Sequence, residues 1–412
     1  MVELKTRILE VAVMFDMKQL NVDILAGGLK IQKKTLEPFN DEICQFLISF
    51  SQKLISSKET RKFTDLIALA FWCSKKNIKN LKKKFSCDDL RTGKGLIFHI
   101  APSNVPTNFF YSLVFGLLSG NSNIIKVPSK NFDQIRIICD QINQLLNLKK
   151  FQSLKKIISI IRYKEGGTDN NNKILSLNCD QRIIWGGDKT INKIREFKLS
   201  PHANDITFGD RYSISLINLK KLKNINDKEL DKLVRFFYND TYLVDQNACS
   251  SPHLILWYGK DNKKVQMKFW NKLKEKVDKS YDIPMNAVTE KYTKLCEDMT
   301  YDYFSDSKTY GQGIYVVRLK KIKKSIEKLR GKWGYFYEYT IKDLNEFTKF
   351  ITKKFQTISY YGFEKKYFEN YFKSHFVDGV DRVVPIGSGL NIDLVWDGYD
   401  IIKILSKVKN IE

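Results

Sequence analysis

The sequence predicts an α/β protein built on parallel sheet, and three observations predict it. The first is residues 95–130, GLIFHIAPSNVPTNFFYSLVFGLLSGNSNIIKVPSK. A short apolar run, a Pro/Asn turn, an apolar segment at helical spacing and a second apolar run follow one another, the signature of a βαβ unit. The second is RIIWGG at 182–187, a strand that breaks on two glycines into a helical pattern at 188–197. The third is the renewed alternation after residue 249, with a strand at 253–258, a helix at 262–278 and a strand at 313–319.

Residues 1–90 read as mostly helical, a layer packed on the sheet. Ile43, Phe46, Leu47, Phe50 and Leu54 stand three or four apart after Asn40, and a second such pattern runs over 59–72. The lysine run 75–84 ends this region. In the βαβ unit, 96–100 is a strand, 109–118 a helix stopped by Gly120-Asn121, and 123–127 a strand carrying Lys126 at its end. Ile135, Ile138, Ile142 and Leu145 mark a helix over 131–147, and KIISIIR at 156–162 a strand. A Gly/Asp/Asn-rich loop covers 165–172. Strands follow at 205–208 and 212–217. Asn226 with Glu229 forms a capping box that opens a helix bearing Leu230, Leu233, Val234 and Phe237. A last helix is expected at 342–354, and a Gly- and aromatic-rich tail at 379–402 is expected to pack back on the domains. The expected domains are therefore 1–90 with 91–222, then 223–378, then the tail 379–412.

Composition bounds the function. At 412 residues and 43% hydrophobic content the chain supports two or three domains with sizeable cores. No apolar run reaches the length of a transmembrane span, and the first residues lack the order of a signal peptide, so a cytoplasmic protein with no integral membrane segment is expected. The net charge of +24 comes from lysine spread along the chain. It suits solvated helix faces and the attraction of phosphates; no nucleic-acid-binding motif accompanies it. The seven cysteines, at 44, 73, 87, 139, 179, 249 and 296, never fall at CxxC spacing, and the four histidines form no cluster. Neither a disulfide framework nor a metal site is expected.

Three features carry chemistry. Parallel sheets bind ligands at the carboxyl ends of their strands, and Asn104 and Lys126 sit there. Gly186-Gly187 gives a tight turn into a helix whose N-terminus suits a phosphate. Cys249 lies in VDQNACSSPHLILW, a polar loop of small residues running into a strand. Access, hydrogen-bond donors and small neighbours are what a nucleophilic thiol needs, whereas most single cysteines are inert.

These stretches resemble the aldehyde dehydrogenase superfamily, and within it the acyl-CoA reductase branch typified by LuxC of bacterial luminescence operons. The resemblance rests on GLIFHIAPSNVPTNFFYSLVFGLLSGNSNIIKV, IIWGGDKTINKIR with DITFGDRYSIS, DQNACSSPHLI, FQTISYYGF and GVDRVVPIG with VWDGYD, in the family's order over about 90–402. It implies a Rossmann-type cofactor domain and a second α/β catalytic domain, with the active site in the cleft between them. It also implies an acyl-CoA reductase of fatty-acyl type, which converts an acyl thioester to an aldehyde. Cys249 falls on the catalytic thiol that forms the acyl-enzyme and expels coenzyme A. Asn104 falls on the oxyanion-hole asparagine, acting with the Cys249 backbone N–H. Lys126 falls on the lysine that reaches the adenosine ribose, Gly187 on a glycine of the cofactor loop, and Thr190 lies near the helix start.

Two departures matter. NAD-preferring relatives carry a glutamate shortly after the lysine; here Val127-Pro128-Ser129-Lys130 offers no carboxylate. Ser129 and Lys130 instead favour a 2′-phosphate, so NADPH is expected over NADH. Hydrolytic members carry a general-base glutamate in a LELGG-like segment; here ITFGD puts Thr207 there, which suits a thioester reductase. The family's EIFGP glutamate has no assignable counterpart, KWGYF matching weakly. His253, four residues after the cysteine, is read as too distant for a dyad, and Arg382, Trp396 and Asp397 as structural. The resemblance further suggests an acyl-activating partner, of the acyl-protein synthetase kind, and a homo-oligomer. A hydrolytic aldehyde dehydrogenase and a non-catalytic scaffold subunit remain as alternatives.

Overall fold

The computed structural model describes residues 14–85, 89–164 and 169–411. The N-terminal residues 1–13, Cys87 and residues 165–168 of the Gly/Asp/Asn-rich stretch lie outside the described residues. The chain divides into two compact units, one running to Gly209 and resuming at Tyr399, the other comprising Asp210–Gly398.

The first unit is built on a six-stranded sheet. Its strands are β1 (Asp23–Gly27), β2 (Leu96–Ile100), β3 (Ser122–Lys126), β4 (Ile158–Arg162), β5 (Gln181–Trp185) and β6 (Asn204–Phe208), in the order β1-β4-β3-β2-β5-β6. All neighbours are parallel except β1, which runs antiparallel to β4 at one edge. The five parallel strands thus grow outward from β2 in both directions. The order reverses between β2 and β5, which opens a crevice at their carboxyl ends. Strands β2 and β3 are buried along their whole length, hence the unbroken apolar reading of LIFHI and of the core of SNIIK.

Helices α1 (Asp41–Ser56), α2 (Asn108–Leu118) and α3 (Asp133–Leu146) pack on this sheet, and α4 (Asp188–Arg195) follows β5. Asn40 caps α1 by accepting from the Glu42 and Ile43 N–H groups. Phe50 of α1 stacks on Phe110 of α2 at 4.2 Å, and both are fully buried. Each such side chain contributes about 2–3 kcal/mol through removal from water.

The N-terminal stretch is not wholly helical as expected. Residues 14–32 form short strands, and β1 extends the main sheet. Five residues ending on a glycine are too few to show a period. Gly27 has φ 93°, and a Cβ there would lie 2.0 Å from the Ile158 carbonyl oxygen. The lysine run closes the helical region as a helix of its own, Lys75–Phe85, anchored by buried Ile78 and Leu81. Residues from Asp169 to Asn178 are helical rather than a continuation of the loop.

The second unit holds a seven-stranded sheet. Its strands are β7 (Tyr212–Asn218), β8 (Pro252–Tyr258), β9 (Phe304–Tyr310), β10 (Ile314–Leu319), β11 (Tyr335–Ile341), β12 (Phe355–Tyr361) and β13 (Arg382–Pro385), in the order β9-β10-β11-β8-β7-β12-β13. Only the β9–β10 hairpin is antiparallel. Period-2 alternation splits the core into two layers. Ile214, Leu216, Leu254 and Leu256 pack on one face, and Ile217, Ile255 and Trp257 on the other. Helix α5 (Asp227–Tyr242) covers the second face, capped by Asn226 accepting from the Glu229 N–H.

The domain boundary falls at 209/210 rather than at 222/223, because β7 pairs with β8 and β12 and so belongs to the second sheet. The tail is divided: β13 closes the second sheet, while Ser406–Val408 pairs with Arg91–Gly93 in the first unit. The helix expected at 342–354 is a single turn, Asn345–Thr348.

Candidate active site

Cys249 lies in the turn between α5 and β8, at the amino end of a central strand of the second unit. The turn is held from several sides. The Ser213 hydroxyl donates to the Cys249 carbonyl at 2.6 Å, and itself accepts from the Thr357 N–H at 3.2 Å. The Ser251 hydroxyl donates to the Asp240 carbonyl at 2.8 Å, and its N–H to the Ala248 carbonyl at 3.0 Å. Gln246 is the main anchor. Its amide donates to the Pro252 and Tyr335 carbonyls at 2.9 and 3.1 Å, and accepts from the Gly334 and Tyr335 N–H groups at 3.1 and 3.2 Å. Asp245 and Gln246 sit in the left-handed region, φ 53° and 60°. These bonds offset the cost of that conformation.

The Cys249 side chain is half-buried. Burial pushes its thiol up to about 11; the carboxylates of Asp397 and Asp210 act in the same direction, and Arg330 opposes them. Arg330 is fixed by donation to the Arg211 carbonyl at 2.8 Å and lies 3.9 Å from the Asp210 carboxylate. Asp397 is buried, accepts from the Gln356 amide at 2.5 Å, and faces Arg211 at 4.0 Å. Burial raises its carboxyl above the ordinary range. Nothing in the local sequence marks Arg330, and Asp397 lies in a tail motif that reads as structural; both act on the thiol through charge, from stretches far away in the chain. Only the loose match of KWGYF to a family motif hinted at the Arg330 region.

His253 behaves as the sequence implied. It stacks on Tyr212 at 5.5 Å, and burial depresses it to about 3. Among the described residues no hydrogen bond joins it to the thiol. Arg382 donates to the Gly389, Ser388 and Asn391 carbonyls and lies 4.4 Å over the Trp396 ring, so it clamps the tail loop.

The remaining candidates gather along the carboxyl edge of the first sheet. Asn104 is exposed in the turn between β2 and α2. Lys126 ends β3 and is buried, its ammonium 5.1 Å from the Tyr163 ring. Ser129 and Lys130 are exposed in the loop that follows, and Lys130 lies 5.0 Å over the Phe132 ring. Gly187 caps α4 with an extended backbone, φ −67° and ψ 161°. Thr190 packs on Gly186, where a Cβ would come within 3.3 Å of it. Strands β3, β2 and β5 are consecutive, so these residues flank the crevice at the switch point.

A nicotinamide dinucleotide suits this edge: a lysine and a serine beside β3, and a glycine turn after β5. One residue fits poorly. Asp188 occupies the first turn of α4, where its carboxylate already complements the helix dipole and would repel a phosphate. The crevice floor is rigid. The Trp185 indole donates to the Ser112 hydroxyl at 3.0 Å. His99, buried between Ser112 at 2.8 Å and Asn123 at 3.0 Å, is depressed to about 4 by burial. Thr207 lies half-buried in β6 opposite Ile184 and supplies a hydroxyl, not a base.

Solved structures define the class. The chain superposes on a 1-pyrroline-5-carboxylate dehydrogenase of Thermus thermophilus with TM-score 0.62 and 11% identity, over 90% of this chain and 80% of that one. It superposes equally on an indole-3-acetaldehyde dehydrogenase of P. syringae, TM-score 0.62 and 11% identity, over 89% and 83%. The fold is that of the aldehyde dehydrogenases. Residues 77–406 match the model of the acyl-CoA reductase (LuxC) family, and the chain belongs to that family. It is 24% identical over 315 residues to the long-chain acyl-protein thioester reductase of Aliivibrio fischeri, covering 74% of this chain and 61% of that protein. With the reductase of the same name from Vibrio harveyi it shares 22% over 321 residues, 76% and 63%. The chain thus spans about three fifths of the length of these relatives.

Proposed function

We propose that the chain is an acyl thioester reductase that releases an aldehyde through an acyl-Cys249 intermediate. The observation that carries this reading is a half-exposed cysteine in a turn pinned at Ser213, Gln246 and Ser251. A nucleophile on rigid supports is what covalent catalysis requires.

The Cys249 thiolate adds to the thioester carbonyl, and the thiolate of the donor leaves with the electron pair. A reduced nicotinamide, NADPH in preference to NADH, supplies the hydride when bound. The acyl carbon gains two electrons, and collapse of the thiohemiacetal returns the Cys249 thiolate and frees the aldehyde. Asn104 is assigned donation to the developing oxyanion together with the Cys249 N–H; one such donor is worth about 10²–10³ in rate. Lys126, Ser129, Lys130, Gly187 and Thr190 are assigned to the cofactor. Thr207 supports reduction over hydrolysis, since a hydroxyl does not activate water as a carboxylate does.

The acyl donor is coenzyme A or a carrier protein; the name of the Aliivibrio fischeri relative, an acyl-protein thioester reductase, favours keeping both. The test is incubation of the protein with long-chain acyl-CoA without cofactor, followed by peptide mass mapping. An acyl adduct on Cys249, absent in Cys249→Ala and released as aldehyde on adding NADPH, is expected. Adduct elsewhere, or acid as the product, would sink the reading.

A further inference from the structure

The lysine run at 75–84 forms a surface that none of the assigned roles uses. Its helix, Lys75–Phe85, is seated by buried Ile78 and Leu81. At about 100° per residue, Lys75, Lys76, Lys79, Lys82 and Lys83 fall within one arc of about 120°, turned away from that seat. All five are exposed, and they make a strip about 12 Å long.

Three features make this strip unfavourable to the helix itself. Lys79 has a lysine at each of its four helical neighbours, Lys75, Lys76, Lys82 and Lys83, and like charges at these spacings weaken a helix. The first turn holds Lys75 and Lys76 and no acid, against the positive end of the helix dipole. Among the described residues, the one carboxylate paired with the strip is that of Asp41, 3.2 Å from Lys82 and itself exposed. A face shaped for solvation alone intersperses both signs. An opposing layer of negative charge removes all three costs together.

The side chain beside the strip is aromatic. Phe71, in the helix Thr64–Trp72, is 63% exposed, and its carbonyl accepts from the Ser74 N–H at 3.1 Å in the turn that leads into Lys75. The strip contains no arginine, the residue whose fork matches phosphate and base edges in nucleic acid. Lysines are point charges that need no fixed partner geometry. A phenylalanine beside them suits the boundary between headgroups and acyl chains.

We propose that the lysine face of this helix, with Phe71, docks the first unit on an anionic lipid surface. The five ammonium groups lie against the headgroup phosphates, and the Phe71 ring enters the layer beneath them. The docking is peripheral and reversible, acting within a Debye length of the surface; no helix among the described residues is long and apolar enough to cross a membrane.

Co-sedimentation of the full chain with vesicles tests it, comparing phosphatidylglycerol-rich vesicles with phosphatidylcholine alone. Partitioning to the anionic vesicles should be at least about tenfold stronger and should fall as salt rises. Lys79→Gln should lower it about fivefold, with no loss of melting temperature, since the change relieves four like-charge neighbours. Lys228→Gln, at an exposed lysine of α5, should leave it unchanged, which separates the strip from the net charge of the chain. Phe71→Ser should weaken binding without altering its salt dependence. Equal binding to both vesicles, or equal losses for Lys79→Gln and Lys228→Gln, would overturn the proposal. So would displacement from the vesicles by duplex DNA with no effect of Phe71→Ser, which would mark a general polyanion surface. The measurement involves neither a thioester nor Cys249, so the docking and the reductase reading fail separately.

Discussion

At the scale of single residues, the thiol of Cys249 is the informative group. Burial pushes it up to about 11, and among the described residues the opposing charge is Arg330. The thiolate is the reactive species, so alkylation by iodoacetamide should accelerate about tenfold per pH unit and continue to rise until pH approaches 11. Removing the cation raises the thiol further: Arg330→Met should slow alkylation at pH 8, and Asp397→Asn should speed it. A plateau below pH 9, or no response to either change, would show that these charges do not act on the sulfur. Cys249, Asn104 and Lys126 stand out in the sequence because each sits in a short local pattern. Arg330 and Asp397 do not, because their importance comes from Cys249, about 80 and about 150 residues away, which only folding brings close.

At the scale of elements, legibility followed length and periodicity. Helices α1, α3 and α5 were readable from stripes of buried residues over 14 to 16 positions. Strand β11, YFYEYTI, and strand β12, FQTISYY, mix aromatic and polar residues without clean alternation, because Tyr335 and Tyr337 turn hydroxyls onto buried Asp298 at 2.7 and 2.6 Å. Such polar pairings inside a core defeat an apolar count. The same principle gives a stability prediction. Arg182 on β5, fully buried, makes two bonds to Asp205 on β6 at 2.6 and 2.9 Å, and two more to Ser176 and the Phe197 carbonyl. Arg182→Met leaves Asp205 with only the half-exposed Arg195 at 3.6 Å and should cost about 3–5 kcal/mol in urea unfolding. Arg136→Met, at an exposed cluster, should cost far less, since solvent screens its carboxylate partners. Equal losses would mean that burial does not set the value of the pair.

At the scale of the whole molecule, the βαβ reading and the second α/β region were legible, and the family followed from motif order. The boundary was misplaced because β7 sits between the two regimes in sequence and its pairing partners, β8 and β12, lie up to about 140 residues downstream. The net charge of +24 suits solvated helix faces first and the attraction of phosphates second, and the second is measurable. The KM for acyl-CoA should rise several-fold between about 20 and 200 mM salt as screening shortens the reach of the lysines. An uncharged N-acetylcysteamine thioester should show no such rise; an equal rise for both would assign the salt effect to the fold instead.

The two left-handed residues before Cys249 bear on which mutations this chain can absorb. Glycine at 246 would adopt the same backbone without strain, yet it would delete four bonds that tie the Cys249 turn to residues 252, 334 and 335. A β-branched residue would lose both. The contour of the turn and its stiffness are therefore encoded separately, one in backbone handedness and the other in a single carboxamide. Drift at this position would leave a protein that folds to the same outline while its Cys249 thiol wanders.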